Sequence, residues 1–191
     1  GYAHVPWMAK RQVLIPSDEL PGPEDRLELF DTARRLFLWD GYREIGIDHY
    51  AREGDSMAEA DRTRTLRRNF QGYTDDTAEV LIGLGASAIS RYPQGYAQNV
   101  STSSKYATAI EEGRLATARG YAMSDEDRLR AAMIEQIMCR LELDLGEIAQ
   151  QFGEPLPALR DRVRGLTAKF PDHLEQKGDK LILTENARLV A

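Results

Sequence analysis

The chain has 191 residues, of which 42% are hydrophobic and 29% charged, and its formal net charge is −6. This length can bury a core without disulfides, and the ordinary apolar content excludes a disordered chain. The acidic balance argues against nucleic-acid binding through a generally basic surface. The longest apolar stretch, residues 80–89, is far shorter than the roughly 20 residues that cross a bilayer, so we expect no membrane partner. A single cysteine, Cys139, allows neither an internal disulfide nor a thiolate cluster and favours the reducing cytoplasm.

The first half of the chain predicts alternating strands and helices. Residues 2–5 form a short strand-like run before a proline, and residues 24–39 place apolar side chains at helical spacing with two acids in the first turn. Alternation predicts a strand over residues 42–49, and a second helix follows from Ser56 to about residue 66. The near-continuous apolar run of residues 80–90 is typical of a strand covered on both faces. This order indicates an α/β fold with βαβ units.

Helices dominate after residue 100, beginning with one over residues 101–112, and the polar loop 69–75 cannot be placed by propensity. Ser124 with Asp127 indicates a helix start that resembles a capping box, and this helix runs through Arg140. Two shorter helices are predicted over residues 145–152 and 156–170, and a hairpin over residues 174–183. Three helices and a hairpin are the outline of a winged-helix module. We therefore predict an α/β segment over residues 1–95, a connecting helix and linker over 96–123, and a mostly helical domain over 124–191.

Few residue types suited to metal or nucleophilic chemistry stand out. His4 and His49 follow predicted strands, where α/β folds place functional groups, although a structural role is the commoner one. Together with His173 they lack the spacing of a metal site, and Cys139 lies within an amphipathic helix, where a small core residue is expected. We assign no metal site and no catalytic acid, base or nucleophile.

Positive charge concentrates at four arginines: Arg62, Arg64, Arg67 and Arg68. They suit either a solvated helix face or a set of guanidiniums that binds carboxylates in bidentate pairs, with hydrogen-bond donors from Gln71 and Tyr73 nearby. Composition does not decide between these interpretations. The glycine-rich residues 83–88 lack the full spacing of a nucleotide loop, and their glycines more plausibly allow a backbone or a flat ligand to approach closely.

Five short blocks in a fixed order resemble the oxygen-independent coproporphyrinogen III oxidases, a radical S-adenosylmethionine family. They are Tyr-Ala-His-Val-Pro at 2–6, Gly-Ile-Asp-His-Tyr-Ala at 46–51, Arg-Asn-Phe-Gln-Gly-Tyr-Thr at 68–74, Gly-Ala-Ser-Ala-Ile-Ser at 85–90 and Tyr-Ala-Gln-Asn at 96–99. The resemblance covers residues 1 to about 125 by motif and the remainder by outline. It implies the last strands of an incomplete α/β (TIM-like) barrel, at residues 2–5, 42–49 and 80–90, followed by a winged-helix-like C-terminal domain.

The resemblance also implies an activity for the full-length enzyme. Such enzymes use a [4Fe-4S] cluster on a CxxxCxxC loop, an electron donor and S-adenosylmethionine to generate a 5′-deoxyadenosyl radical. Two propionates of coproporphyrinogen III lose CO₂ and become vinyls, which gives protoporphyrinogen IX in heme biosynthesis. The cluster loop does not occur in this sequence, so we expect a C-terminal portion that holds no cofactor and is inactive alone. Its open strand edges should pair, most simply between two copies.

Individual positions carry over from the family's blocks. Ala3 and Ile89 match residues that line S-adenosylmethionine. The positions that match the substrate cavity are Gln71 and, as further candidates, Arg68, Asn69 and Tyr73. Arg67 and Asp75 depart from residues that relatives can carry, which affects the hydrogen bonding expected around Gln71.

Two other functions compete with this interpretation. A winged-helix regulator would bind DNA through Arg160, Arg162 and Arg164, although Asp161 interrupts them and the chain is acidic. A heme chaperone of the same superfamily would share the barrel. Those chaperones as a rule lack the Asn-Phe-Gln-Gly-Tyr-Thr block, so residues 69–74 favour the oxidase.

Overall fold

The computed structural model describes residues 4–8 and 10–188, in two compact units, Gly1–Tyr42 and Arg43–Ala191. Tyr2 and Ala3 lie outside the described residues, and His4 and Val5, the rest of the predicted strand at 2–5, are not in a strand. Within the described ranges we find no helix whose length and apolar character would suit a membrane span.

The described residues of the first unit form two short 3₁₀ turns, Lys10–Leu14 and Ser17–Glu19, and helix α1 (Pro23–Trp39). The start of α1 is fixed by Pro23 at its first position and by the Asp25 carboxylate, which accepts a hydrogen bond from the Gly22 amide at 3.0 Å. The helix predicted over residues 24–39 is thus confirmed. None of its residues is buried, and Trp39 is 88% exposed.

Two hairpins and a short helix follow α1 along the chain. Strands β1 (Tyr42–Ile45) and β2 (His49–Arg52) pair with each other, and α2 (Ser56–Arg62) follows. The single strand predicted over residues 42–49 is therefore wrong: Gly46, with φ of +57°, leads a turn between two strands. Strands β3 (Arg67–Arg68) and β4 (Tyr73–Thr74) then pair antiparallel around a four-residue loop, which gives the unplaced residues 69–75 a structure.

The continuous strand predicted over residues 80–90 is also wrong. Only its end enters a strand, β5 (Ile89–Tyr92). Gly83 lies so close to this strand that a Cβ atom there would be 2.8 Å from the carbonyl oxygen of its first residue. The side-chain amide of Asn99 donates hydrogen bonds from Nδ2 to the carbonyls of Gly83 and Gly85, at 3.1 and 3.0 Å. Together with the antiparallel bridge between Leu81 and Arg91, these bonds hold the apolar run folded back against β5. The close backbone approach expected of its glycines is confirmed at Gly83.

Strand β5 belongs to an antiparallel sheet with β6 (Gly95–Asn99) and β7 (Thr117–Ala122), and α3 (Ser103–Glu111) connects the last two. Every strand pair whose register is described is antiparallel. The mixture of helices and strands agrees with the predicted fold class. The parallel barrel strands expected at 42–49 and 80–90 do not form, and the described strands build no closed barrel.

The C-terminal elements agree best with prediction. Ser124 caps α4 (Asp125–Arg140): its hydroxyl accepts from the Asp127 amide at 3.2 Å, and the Asp127 carboxylate accepts from the Ser124 amide at 2.9 Å. The remaining elements are β8 (Glu142–Asp144), α5 (Leu145–Phe152), α6 (Leu156–Val163), α7 (Leu166–Lys169), β9 (Leu174–Lys177), β10 (Lys180–Leu183) and α8 (Glu185–Arg188). The predicted hairpin is confirmed as β9 and β10, and the helix predicted over 156–170 divides at Gly165, whose φ is +81°.

Two apolar cores stabilise this unit. The C-terminal core comprises Leu129, Leu143, Leu145, Ile148, Leu159, Val163 and Leu181. The other comprises Ile45, Ala51, Ala58, Ala60, Leu66, Tyr73 and Cys139. Because Cys139 belongs to α4, this second core joins the hairpins of residues 42–74 to the C-terminal helices. The domain division at residues 95 and 123 stays a prediction.

We predict that Gly46→Ala lowers the free energy of unfolding by roughly 2–4 kcal/mol, because the new Cβ would lie 2.2 Å from the Tyr73 ring at a backbone φ of +57°. Gly54→Ala is the control, since Gly54 also has a positive φ, +90°, but has no atom within 4 Å of the added carbon. Urea denaturation of both variants measures the difference. Equal losses would show that the ring imposes no constraint on this turn.

Candidate functional site

The buried Tyr73 hydroxyl joins three parts of the second unit. It accepts a hydrogen bond from the Ile47 amide at 3.0 Å and donates one to the Met138 carbonyl at 2.9 Å. The His49 ring packs edge-on against the Tyr73 ring, with centroids 4.9 Å apart. Burial raises the pKa of Tyr73, so its hydroxyl keeps its proton at neutral pH. Tyr73 therefore anchors the β3–β4 hairpin to the β1–β2 turn and to α4, and its expected contact with substrate stays a prediction.

This anchor positions the loop of residues 69–72. The Asn69 side-chain oxygen accepts from the Gln71 amide at 2.8 Å, and the Asn69 amide donates to the Gly72 carbonyl at 3.0 Å. The loop is thereby closed, and Gln71 is exposed at its tip. At its base, the Arg68 guanidinium lies over the Tyr73 ring, 5.1 Å from the centroid. The structure thus brings Arg68, Asn69, Gln71 and Tyr73 together on one hairpin.

The four predicted arginines are not a single cluster. Arg62 pairs with Glu59 at 2.5 Å on α2, Arg64 pairs with Glu142 at 3.3 Å, and Arg67 donates to the Thr77 carbonyl at 3.1 Å. The solvated-face interpretation therefore describes Arg62. Arg68 differs, because no carboxylate among the described residues lies within 4 Å of its guanidinium.

A cleft of about 270 Å³ lies beside the hairpin loop. Phe70 packs edge-on against Tyr96 with centroids 5.2 Å apart, and α4 forms the facing wall. The cleft is lined by Arg68, Asn69, Phe70, Arg91, Tyr96, Ala131, Ile134, Glu135 and Met138. Sequence reasoning missed Phe70, Arg91 and Tyr96 as site residues, although the first and last lie within recognised blocks.

Only one of the two positions predicted to line S-adenosylmethionine lies among the described residues. Ala3 lies outside them, and Ile89 is half-buried on β5 opposite Gln98. The assignment of both positions stays a prediction.

The histidines and the cysteine form no common centre among the described residues. His4 Nε2 is 2.8 Å from the Ser17 hydroxyl, and His49 Nδ1 is 2.9 Å from the Asp48 carboxylate. No group of three potential metal ligands occurs in the part of the chain that the structure describes. Burial raises the pKa of the Cys139 thiol to about 12, so the thiolate required of a nucleophile or ligand is disfavoured. The expected role of Cys139 as a core residue is confirmed.

Comparison with known proteins identifies relatives along the whole chain. Residues 123–190 match the family model described as HemN C-terminal domain. The chain is 51% identical over 191 residues to the oxygen-independent coproporphyrinogen III oxidase of Cereibacter sphaeroides, covering 100% of this chain and 42% of that protein. The Paracoccus denitrificans protein of the same name is 54% identical over 188 residues, with 98% and 42% covered.

A solved structure has the same fold. It is described as coproporphyrinogen III oxidase (HemN) from Escherichia coli, a radical SAM enzyme; the TM-score is 0.90 at 32% sequence identity, and the match covers 99% of this chain and 44% of that one. The chain thus spans about two fifths of the length of the relatives it matches. By sequence and by structure, it matches the C-terminal portion of oxygen-independent coproporphyrinogen III oxidases.

Proposed function

We propose that this chain serves an oxygen-independent coproporphyrinogen III oxidase, which oxidatively decarboxylates two propionates of coproporphyrinogen III to vinyls and so forms protoporphyrinogen IX in heme biosynthesis. The observation that carries the proposal is the 51% identity to a protein of that name along all 191 residues. The TM-score of 0.90 to the Escherichia coli enzyme supports it.

The part of this chain in the reaction is to bind and orient the substrate. The closed loop of residues 69–72 presents Gln71 to solvent beside Arg68, whose guanidinium has no carboxylate partner among the described residues. A guanidinium and a side-chain amide are suited to the carboxylate of a propionate. We assign substrate contacts to Gln71 and Arg68. Asn69 and Tyr73 support the loop that carries these two residues.

The iron–sulfur cluster does not fit the residues of this chain. A [4Fe-4S] cluster needs several thiolates, and the sequence has one cysteine, whose thiol is buried with its pKa raised to about 12. The cluster must therefore be held by residues that this sequence does not contain. For S-adenosylmethionine we propose packing contacts from Ile89 and Ala3.

The C-terminal elements support a winged-helix-like domain, with α4, α5 and α6 followed by the β9–β10 hairpin. We propose that it covers the active site and does not bind DNA. Arg160 pairs with Asp179 at 2.6 Å, Arg162 pairs with Glu126 at 2.5 Å, and Arg164 pairs with Asp161. Arginines neutralised in this way offer little attraction to phosphate. The single reduced cysteine supports a cytoplasmic location, where an electron donor would serve the whole enzyme.

A hybrid enzyme tests the proposed function. This chain would replace the matching 42% of the Cereibacter sphaeroides relative, and the hybrid would be assayed anaerobically for protoporphyrinogen IX. We expect turnover within roughly ten-fold of the unmodified relative, because the exchanged segments share half of their residues. A folded hybrid that retains its cluster and cleaves S-adenosylmethionine, yet leaves the propionates intact, would contradict the proposal.

We predict that Gln71→Ala in this hybrid lowers turnover about ten-fold while the free energy of unfolding changes by no more than about 0.5 kcal/mol, since an exposed loop side chain contributes little to a core. Gln150→Ala, on the exposed side of α5, is the matched control and should leave turnover unchanged. If Gln71→Ala has the kinetics of the control, Gln71 does not contact the substrate.

The 191-residue chain alone should neither assemble a cluster nor cleave S-adenosylmethionine after anaerobic treatment with iron and sulfide, because one cysteine cannot hold the cluster. Iron and sulfide analysis, visible absorption and a 5′-deoxyadenosine assay would measure this. The hybrid, treated in parallel, is the positive control. Stoichiometric iron and sulfide together with 5′-deoxyadenosine from the isolated chain would refute the prediction.

A further inference from the structure

The cleft beside the hairpin loop combines apolar walls with an accessible surface. Phe70 is 56% exposed although it packs against Tyr96, and Ile134 on the facing side of α4 is 55% exposed. Met138 lies one helical turn further along α4. An aromatic pair opposite aliphatic side chains is suited to the face of a flat or shallow ring system.

Two guanidiniums at this cleft have no carboxylate partner in the part of the chain that the structure describes. Many arginines of this unit form ion pairs, such as Arg128 with Asp125 and Arg140 with Glu147 at 2.6 Å. Arg68 and Arg91 also line the cleft, and the described residues place no carboxylate within 4 Å of either guanidinium. Their charges are available to an anionic ligand.

Glu135 is the one acid among the residues that line this cleft, and it is already engaged. Its carboxylate accepts a hydrogen bond from the Arg68 backbone amide at 3.3 Å and lies 3.9 Å from Arg67 Nε. The positive charge of Arg67 therefore offsets the negative charge of Glu135. The charges of Arg68 and Arg91 still favour a carboxylate at the cleft.

The two guanidiniums are held before any ligand arrives. Arg68 is stacked on the Tyr73 ring and its Nη1 is 3.4 Å from the Tyr73 hydroxyl. Arg91 Nη1 donates to the Arg68 carbonyl at 3.4 Å. Side chains that are already positioned lose less conformational entropy on binding.

We propose that this cleft seats one edge of the tetrapyrrole, with a pyrrole face against Phe70 and Tyr96 and propionates paired to Arg68 and Arg91. The inference rests on the proposed function and deepens it. It makes Arg91, Phe70 and Tyr96 substrate-binding residues and explains why apolar surface and unpaired guanidiniums occur together here. The ligand class is a tetrapyrrole that carries carboxylates at its rim.

The hybrid enzyme allows binding and turnover to be measured separately. Coproporphyrin III, the stable oxidised form with the same four propionates, would be titrated by its fluorescence, and coproporphyrinogen III would be used for kinetics. We expect Arg68→Gln and Arg91→Gln each to weaken coproporphyrin binding and to raise KM by about ten-fold, with kcat changed less than two-fold. Phe70→Ala should weaken binding by a similar factor.

The control is Arg119→Gln. Arg119 lies on β7, donates to Gln98 at 2.7 Å and has no carboxylate within 4 Å among the residues described, but it does not line the cleft. It should leave binding and KM unchanged. If the control loses as much binding as the cleft variants, the effect comes from overall charge and the inference is overturned. Normal binding in Arg68→Gln and Arg91→Gln would overturn it as well.

The outcomes also separate this inference from the proposed function. If the hybrid turns over and Arg68→Gln and Arg91→Gln leave KM unaltered, the cleft does not bind the substrate, and the oxidase proposal stays intact. Porphyrin binding that depends on both arginines, without turnover, would support the cleft and count against the oxidase. A hybrid that neither binds coproporphyrin III nor turns over would overturn both.

Discussion

The two hydrogen bonds of the Tyr73 hydroxyl are the constraint on which the candidate site depends. One bond holds the turn after β1, the other holds the end of α4, and the ring between them supports Arg68. A short hairpin with a two-residue strand on each side has little stability of its own. Its fixed position in this protein follows from the buried tyrosine that joins it to elements distant in sequence.

Neighbouring residues of this hairpin have different roles. Tyr73 and Asn69 use their polar atoms inside the protein, whereas Gln71 and the Arg68 guanidinium remain open to a ligand. Residues of the same recognised block thus differ in role: some support the hairpin, and others are open to a ligand. The apolar cleft adds the contact area that isolated polar groups cannot supply, because a bound ligand gains most of its affinity from buried surface.

Local signals in the sequence predicted the C-terminal elements well. The Ser124 cap and the β9–β10 turn depend on residues a few positions apart, and both were found. The strand predicted over 42–49 failed because the turn at Gly46 is set by a ring 27 positions later. The strand predicted over 80–90 is wrong because the run folds back on itself, with Leu81 bridged to Arg91 and the Asn99 side chain bonded to two of its carbonyls. Phe70 and Tyr96 meet only in three dimensions, so periodicity could not pair them.

The apolar run 80–90 depends in part on one side-chain amide, that of Asn99. A single NH₂ group donates to the carbonyls of both Gly83 and Gly85. Deamidation would turn that donor into a carboxylate, which can only accept and would repel both carbonyl oxygens. The segment would then lose both of these hydrogen bonds at once, and the antiparallel bridge between Leu81 and Arg91 would have to hold it against β5.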